Sequence, residues 1–243
     1  MRIKVEFETK EETLPINYRE KFLSYLKKAF EDYNQDLYQA LYESGANFKA
    51  LCLAIYFRPE VEILKMGITL KSKRFVATFT TRDVMMGVHL INTLLSRRNR
   101  WAPLADTGNK LKITAVTKIQ EHEITTDTAA FRILSPLVVR DHDGKEGRDW
   151  YLTFEDETFE AVWKRNLKTE LRNVLGRDAG RDVERLKIEP IKLRKTVVLN
   201  YAIHIPCTIG TFVLEGEPYL LDYLYKAGMG SKRSLSFGCL DIL

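Results

Sequence analysis

The stretch 82-RDVMMGVHLINTLLSRR-98 reads as a helix, and 111-LKITAVTKIQ-120 beyond it as a strand. Together they close an order that builds outward to the N-terminus. Residues 2-RIKVEFE-8 alternate, with Ile3, Val5 and Phe7 on one face, the period-2 signature of a half-buried strand. From Asn17, an N-cap candidate, Tyr18, Phe22, Tyr25, Leu26, Ala29, Phe30 and Tyr33 recur at three- and four-residue spacing, which predicts an amphipathic helix. A short helical piece from Asp36 to Tyr42 and a break at Gly45 lead to the strand 48-FKALCLAIYF-57. Then 63-ILKMGITL-70 and 74-RFVATFTT-81 are expected to pair as a hairpin. The resulting order, β-α-β-β-α-β, is the ferredoxin-like split.

The second half reads in the same order. Strand 131-FRILSPLVVR-140 passes through the Asp-Gly turn of 141-DHDGKEG-147 to 150-WYLTF-154. A helix follows over 159–176, with Phe159, Trp163, Leu167, Leu171 and Val174 as its apolar stripe. Strands at 184–193 and 196–216, a helix at 217–227 and a strand at 235–243 complete it. The fold class is therefore α+β, two tandem ferredoxin-like lobes at 1–122 and 130–243, with the boundary near 121-EHEITTDTA-129.

The chain has 243 residues, 45% hydrophobic and 29% charged, enough for a sizeable core. Its three cysteines (Cys52, Cys207, Cys239) lie in or beside apolar runs without metal-like spacing, so disulfides and zinc are not expected. His89, His122, His142 and His204 form no metal-ligating pattern. His89 and His204 fall in apolar elements and read as structural. With no membrane-length apolar run and no signal-peptide pattern, the expectation is a cytoplasmic protein needing no cofactor. A net charge of +5 permits a polyanionic partner without demanding one.

The most informative stretch ends the chain: 226-KAGMGSKRSLSFGCLDIL-243. A helix end explains Gly228. It does not explain Gly230, nor Ser231, Lys232, Arg233 and Ser234 around it, which offer close backbone approach, hydroxyls and cations suited to phosphates. A nucleotide P-loop opens a helix, whereas here a helix closes into the loop, so the phosphates of a nucleic-acid backbone fit better.

The pattern 228-GMGSKRSLSFG-238 resembles the glycine-rich loop of the RAMP superfamily of CRISPR-associated proteins, and within it the repeat-cleaving endoribonucleases, the Cas-six family. Residues 134-LSPLVVRD-141, the strand at residue 2 and the helix entered by 16-INYREKFLSYL-26 fit the same resemblance, which spans nearly the whole chain. It departs at Ser236, where the family often has glycine; Phe237 and Gly238 remain. The resemblance implies binding of CRISPR repeat RNA and metal-independent cleavage by a ribose 2′-OH, leaving a 2′,3′-cyclic phosphate and a 5′-hydroxyl. It also implies a catalytic histidine after the first helix, with a lysine just beyond. The matching stretch, 41-LYESGANFK-49, has Tyr42 at the histidine's place and Lys49 beyond it, with Lys28 or Lys27 as further cations for the phosphate. A tyrosine is a poor base at neutral pH unless a cation lowers its pKa of about 10.

Other candidate RNA contacts are Arg97 and Arg98, with Arg100 and Trp101, and Lys192 and Arg194, with Lys187 and Lys195. Lys164, Arg165, Lys168 and Arg172 make a basic stripe on the 159–176 helix. Candidate partners are repeat RNA, subunits of a CRISPR interference complex and a second copy of the chain. The alternative reading is a non-catalytic RNA-binding subunit of such a complex, which the missing histidine favours. No nucleotide fingerprint or acid pair supports a small-molecule enzyme.

Overall fold

The structure, a computed structural model, describes residues 1–43, 50–59, 61–64, 67–142, 150–175 and 178–243. It divides into two compact units: residues 1–121 with 199–203, and residues 122–198 with 204–243.

In the first unit the order is β1 (Arg2–Thr9), β2 (Thr13–Pro15), α1 (Tyr18–Tyr33), α2 (Gln35–Tyr42), β3 (Cys52–Phe57), β4 (Val61–Leu64), β5 (Gly67–Leu70), β6 (Arg74–Thr80), α3 (Val84–Ser96), β7 (Trp101–Pro103) and β8 (Lys110–Ile119). The main sheet runs β3-β6-β1-β8-β7, and its first four strands are the 2-3-1-4 arrangement of a ferredoxin-like fold. Alternation on β1 sends Ile3, Val5 and Phe7 into the core, where Phe7 stacks on Phe75 at 5.0 Å and meets Phe22 of α1 edge-on at 5.2 Å. Asn34 caps α2 through the Leu37 amide (2.9 Å) and Asp83 caps α3 through Met86 (3.0 Å). Asn17 precedes α1, but its side chain caps no backbone amide.

The expected hairpin is not formed. Among the described residues, 61–64 and 67–70 form β4 and β5 of a separate β2-β5-β4 sheet, while β6 pairs with β1 and β3. The alternation of β6 suits an interior strand buried on one face, and it lies between β1 and the edge strand β3.

The second unit contains β9 (Thr128–Ile133), β10 (Val139–Asp141), β11 (Trp150–Leu152), α4 (Phe159–Leu175), α5 (Gly180–Arg185), β12 (Lys187–Asn200), β13 (Ile203–Glu215), α6 (Pro218–Ala227) and β14 (Leu240–Ile242). Its sheet order β12-β13-β9-β14 is again ferredoxin-like, with a β10-β11 hairpin added. Phe131, Phe212, Trp163, Leu171, Leu220 and Leu224 centre the core.

Three boundaries differ from expectation. The strand read over 131–140 breaks after Ile133, ahead of Pro136, which has no amide to give a ladder. The two strands read at 184–193 and 196–216 meet at a different place: β12 is continuous through Arg194 and Lys195, and the reversal falls at Tyr201 and Ala202, both at positive φ (48° and 62°). That two-residue turn lacks the usual Asn or Gly, so nothing in the sequence marks it. The last strand is shortened to Leu240–Ile242 because Arg233–Leu235 forms a 3-10 turn.

Candidate functional site

The glycine-rich loop is a built structure of the second unit. α6 ends at Gly228 (φ 84°), and the chain folds back so that the Met229 amide donates to Gly238 O (2.8 Å) and the Ser231 amide to Val138 O (2.7 Å). At Gly230 (φ 80°) a Cβ would lie 2.3 Å from Val138 O, and at Gly238 (φ 66°) 1.9 Å from Met229 O. Only glycine fits either position. The Ser231 hydroxyl accepts from the Arg140 amide at 3.3 Å.

Two side chains expected to contact RNA turn inward. Phe237 is fully buried with Val138, Val198, Ile205 and Cys207, and anchors the loop. Arg233 donates to Gly228 O (3.2 Å) and pairs with Glu170 of α4 at 2.6 Å, the two side chains being 11% and 10% exposed. Tyr223 of α6 donates to the same carboxylate. Burial first, and then the Glu170 charge, push the Tyr223 phenol's pKa up. Phe237 and Arg233 are therefore corrected from phosphate contacts to supports of the loop. The outward surface is left to Lys232, whose Nζ stands 5.6 Å from the Tyr151 ring, together with Ser231 and Ser234, all part-exposed.

In the first unit the candidate catalytic residues separate. Tyr42, the last residue of α2, packs with Tyr38 (5.2 Å) and Phe30 (6.4 Å), and Lys27 Nζ sits 5.3 Å from its ring centre. Burial, followed by Tyr38 and Tyr201, pushes its phenol up to about 12. Lys49 lies outside the described residues. Lys28 belongs to another cluster: it pairs with Glu31 and Asp32, each at 2.9 Å, and those partners hold its ammonium protonated. Arg97 joins the cluster by pairing with Asp32, donating to Lys28 O (3.1 Å) and covering Tyr25 at 5.3 Å. Burial raises the Asp32 pKa, but Lys28 and Arg97 outweigh it and hold the carboxyl below its ordinary range.

Arg98, Lys192 and Arg194 are exposed, the last two on the same side of β12. The basic stripe of α4 is largely paired within its own unit: Lys164 with Glu160 (2.7 Å), Arg165 with Asp141 (2.8 Å), Lys168 with Glu184. His204 is exposed at the start of β13, contrary to the structural role expected of it. Sequence reasoning missed Tyr151 and Lys112, each of which joins a cation–aromatic pair: Tyr151 with Lys232 of the loop, and Lys112, whose Nζ stands 4.6 Å from the Trp101 ring across the β7-β8 pair. Cross-strand pairing of β7 with β8 supplies the second partnership and the approach of the glycine-rich loop to β11 supplies the first; a one-dimensional reading shows neither. Among the described residues, no group of three or more His, Cys, Asp or Glu side chains is placed to hold a metal ion.

Two ferredoxin-like units, the second closed by a glycine-rich loop between its last helix and last strand, define a RAMP-type architecture. The sequence agrees with that class: residues 119–242 match the family described as CRISPR associated protein Cas6, C-terminal. The chain belongs to the Cas6 family. In fold it is similar to a Cas6-related protein from Pyrococcus furiosus (TM-score 0.86, 20% identity, covering 100% of this chain and 98% of that one). It is also similar to a RAMP protein binding different RNA substrates (0.83, 20%, 100% and 99%) and to a Cas6 product complex (0.73, 17%, 100% and 99%). Among curated proteins no sequence match is found.

Proposed function

We propose that this protein binds CRISPR repeat RNA and cuts the precursor transcript once per repeat, without a metal ion. Membership of the Cas6 family carries the reading; the loop, with Ser231, Lys232 and Ser234 part-exposed over a buried scaffold, supplies a surface suited to a phosphate backbone. In the reaction, the 2′-oxygen bonds to the adjacent phosphorus as the bond to the 5′-oxygen breaks. The 2′-OH loses its proton and the departing oxygen gains one, leaving a 2′,3′-cyclic phosphate and a 5′-hydroxyl.

Tyr42 cannot take the first of those protons at neutral pH. With a phenol at about 12, roughly one molecule in 10⁵ is ionised at pH 7. Its role is that of an intact O–H: donating to a phosphate or ribose oxygen and orienting the 2′-OH, with Lys27 beside it and Lys49 as the further cation. A transcript carrying several repeats tests the function. We expect unit-length products in EDTA; random cleavage, or none, counts against it.

The same phenol favours a second reading, in which the chain holds crRNA as a subunit of a CRISPR interference complex and cuts it slowly or not at all. Tight binding of repeat RNA without cleavage decides for that reading. Size-exclusion chromatography of the RNA-bound protein then tests for a second copy of the chain.

A further inference from the structure

A cavity in the first unit, lined by residues other than Tyr42, Lys27 and Lys49, combines cationic, polar and aromatic walls. It encloses about 580 Å³ between α1 (Ser24, Tyr25, Lys28, Asp32), the C-terminal end of α3 with its cap (Ser96, Arg97), and Arg100 with the strand it leads into (Trp101 to Pro103). Pockets that take small ligands span roughly 300–1,000 Å³.

Its parts divide by function. The floor is fixed: Arg97, Asp32 and Lys28 are tied to one another, and Arg97 is only 14% exposed. Arg100 is different. Its side chain is exposed, with no hydrogen bond or ion pair among the described residues, so its charge is available to an anion. Next to it Trp101, on the edge strand β7, is 42% exposed, a large aromatic surface kept at the cavity's edge by the Lys112 ammonium against its ring. An aromatic face open at a cavity edge is suited to stacking on a base. The lining also offers the Ser24 and Ser96 hydroxyls as donors or acceptors and the Asp32 carboxylate as an acceptor for an amino or ribose hydroxyl group.

We propose that this cavity binds one unpaired ribonucleotide, its base stacked on Trp101 and its phosphate held by Arg100. Resting on the RNA-binding reading above, the inference makes the nucleotide a single-stranded position of the bound RNA. The cavity then holds a part of the RNA apart from the glycine-rich loop, adding affinity through stacking and one phosphate contact.

The test measures fluorescence anisotropy of labelled repeat RNA against salt for the wild type, Trp101→Ala, Trp101→Phe and Arg100→Ala. Stacking is worth about 1–3 kcal/mol per base, so Trp101→Ala should weaken binding by about tenfold and Trp101→Phe by less than about threefold. Arg100→Ala should lower the slope of log K against log salt by about 0.7. Affinities of Trp101→Ala and Arg100→Ala both within about twofold of wild type, with the salt slope unchanged, overturn the inference while leaving the RNA-binding reading intact. If the wild type binds no RNA, titration with adenosine monophosphate decides separately. Quenching of tryptophan emission that Trp101→Phe lacks retains the cavity as a site for a free nucleotide; no quenching overturns it.

Discussion

Replacing Glu170 with alanine is expected to loosen the glycine-rich loop without touching its surface. The carboxylate accepts from both Arg233 (2.6 Å) and Tyr223, and Arg233 in turn donates to Gly228 O at the loop's first residue. Removing it breaks the pair with a guanidinium only 11% exposed, for which the usual cost is about 3–5 kcal/mol, and removes an acceptor of the Tyr223 hydroxyl, about 1 kcal/mol more. Since a long arginine side chain can swing toward water, about 3 kcal/mol is expected for Glu170→Ala and about 1–2 for Glu170→Gln, which keeps the shape and loses the charge. Urea unfolding followed by tryptophan emission reads the change, because Trp163 lies buried on the same helix. Adding Arg233→Met to Glu170→Ala should recover at least about 1.5 kcal/mol, the signature of a coupled pair. A cost below about 1 kcal/mol for Glu170→Ala refutes the reasoning. So does a fall of about one in the salt slope of RNA binding for Arg233→Met, since that would place Arg233 on a phosphate.

Ser236 holds φ 67° with its hydroxyl buried and without a hydrogen-bond partner among the described residues, so Ser236→Gly should raise stability by about 1 kcal/mol, read as a higher urea midpoint at unchanged m. Gly238→Ala, placing a Cβ 1.9 Å from Met229 O at φ 66°, should cost about 3 kcal/mol or more and weaken RNA binding; wild-type stability in this variant would show the loop is not built as described. Folding raises the Tyr42 phenol from about 10 to about 12, so between those values the folded chain keeps a proton that the unfolded chain releases. Its contribution to stability is complete below pH 10 and is lost as pH rises to 12; Tyr42→Phe should flatten that decline, and an identical pH profile would contradict the burial assigned to the ring.

Much of the fold was legible because burial on one face leaves a period. The alternation of Ile3, Val5 and Phe7 and the spacing of Phe22, Tyr25, Leu26 and Phe30 report the same core from two elements. What stayed hidden depends on partners distant in sequence. Nothing local shows that β6 joins β1 rather than β5, or that Tyr201 and Ala202 turn the longest hairpin at positive φ. The site divides in the same way. The glycines were readable because only their backbone matters, and both Gly230 and Gly238 meet carbonyl oxygens across the loop. The direction of a cation was not: Arg233 and Lys232 are neighbours in sequence, yet one binds Glu170 in the interior and the other stands against Tyr151 at the surface.

The central claim is cleavage by the RNA's own 2′-hydroxyl, and one substitution in the substrate tests it. Repeat RNA labelled at its 3′ end is incubated with the protein in EDTA, beside the same RNA carrying hydrogen in place of the 2′-OH at the cut site. The account predicts a single cut in the first, with a 5′-hydroxyl on the labelled fragment, and an intact second strand bound as tightly. Cleavage of the deoxy-substituted strand at the same position would contradict it.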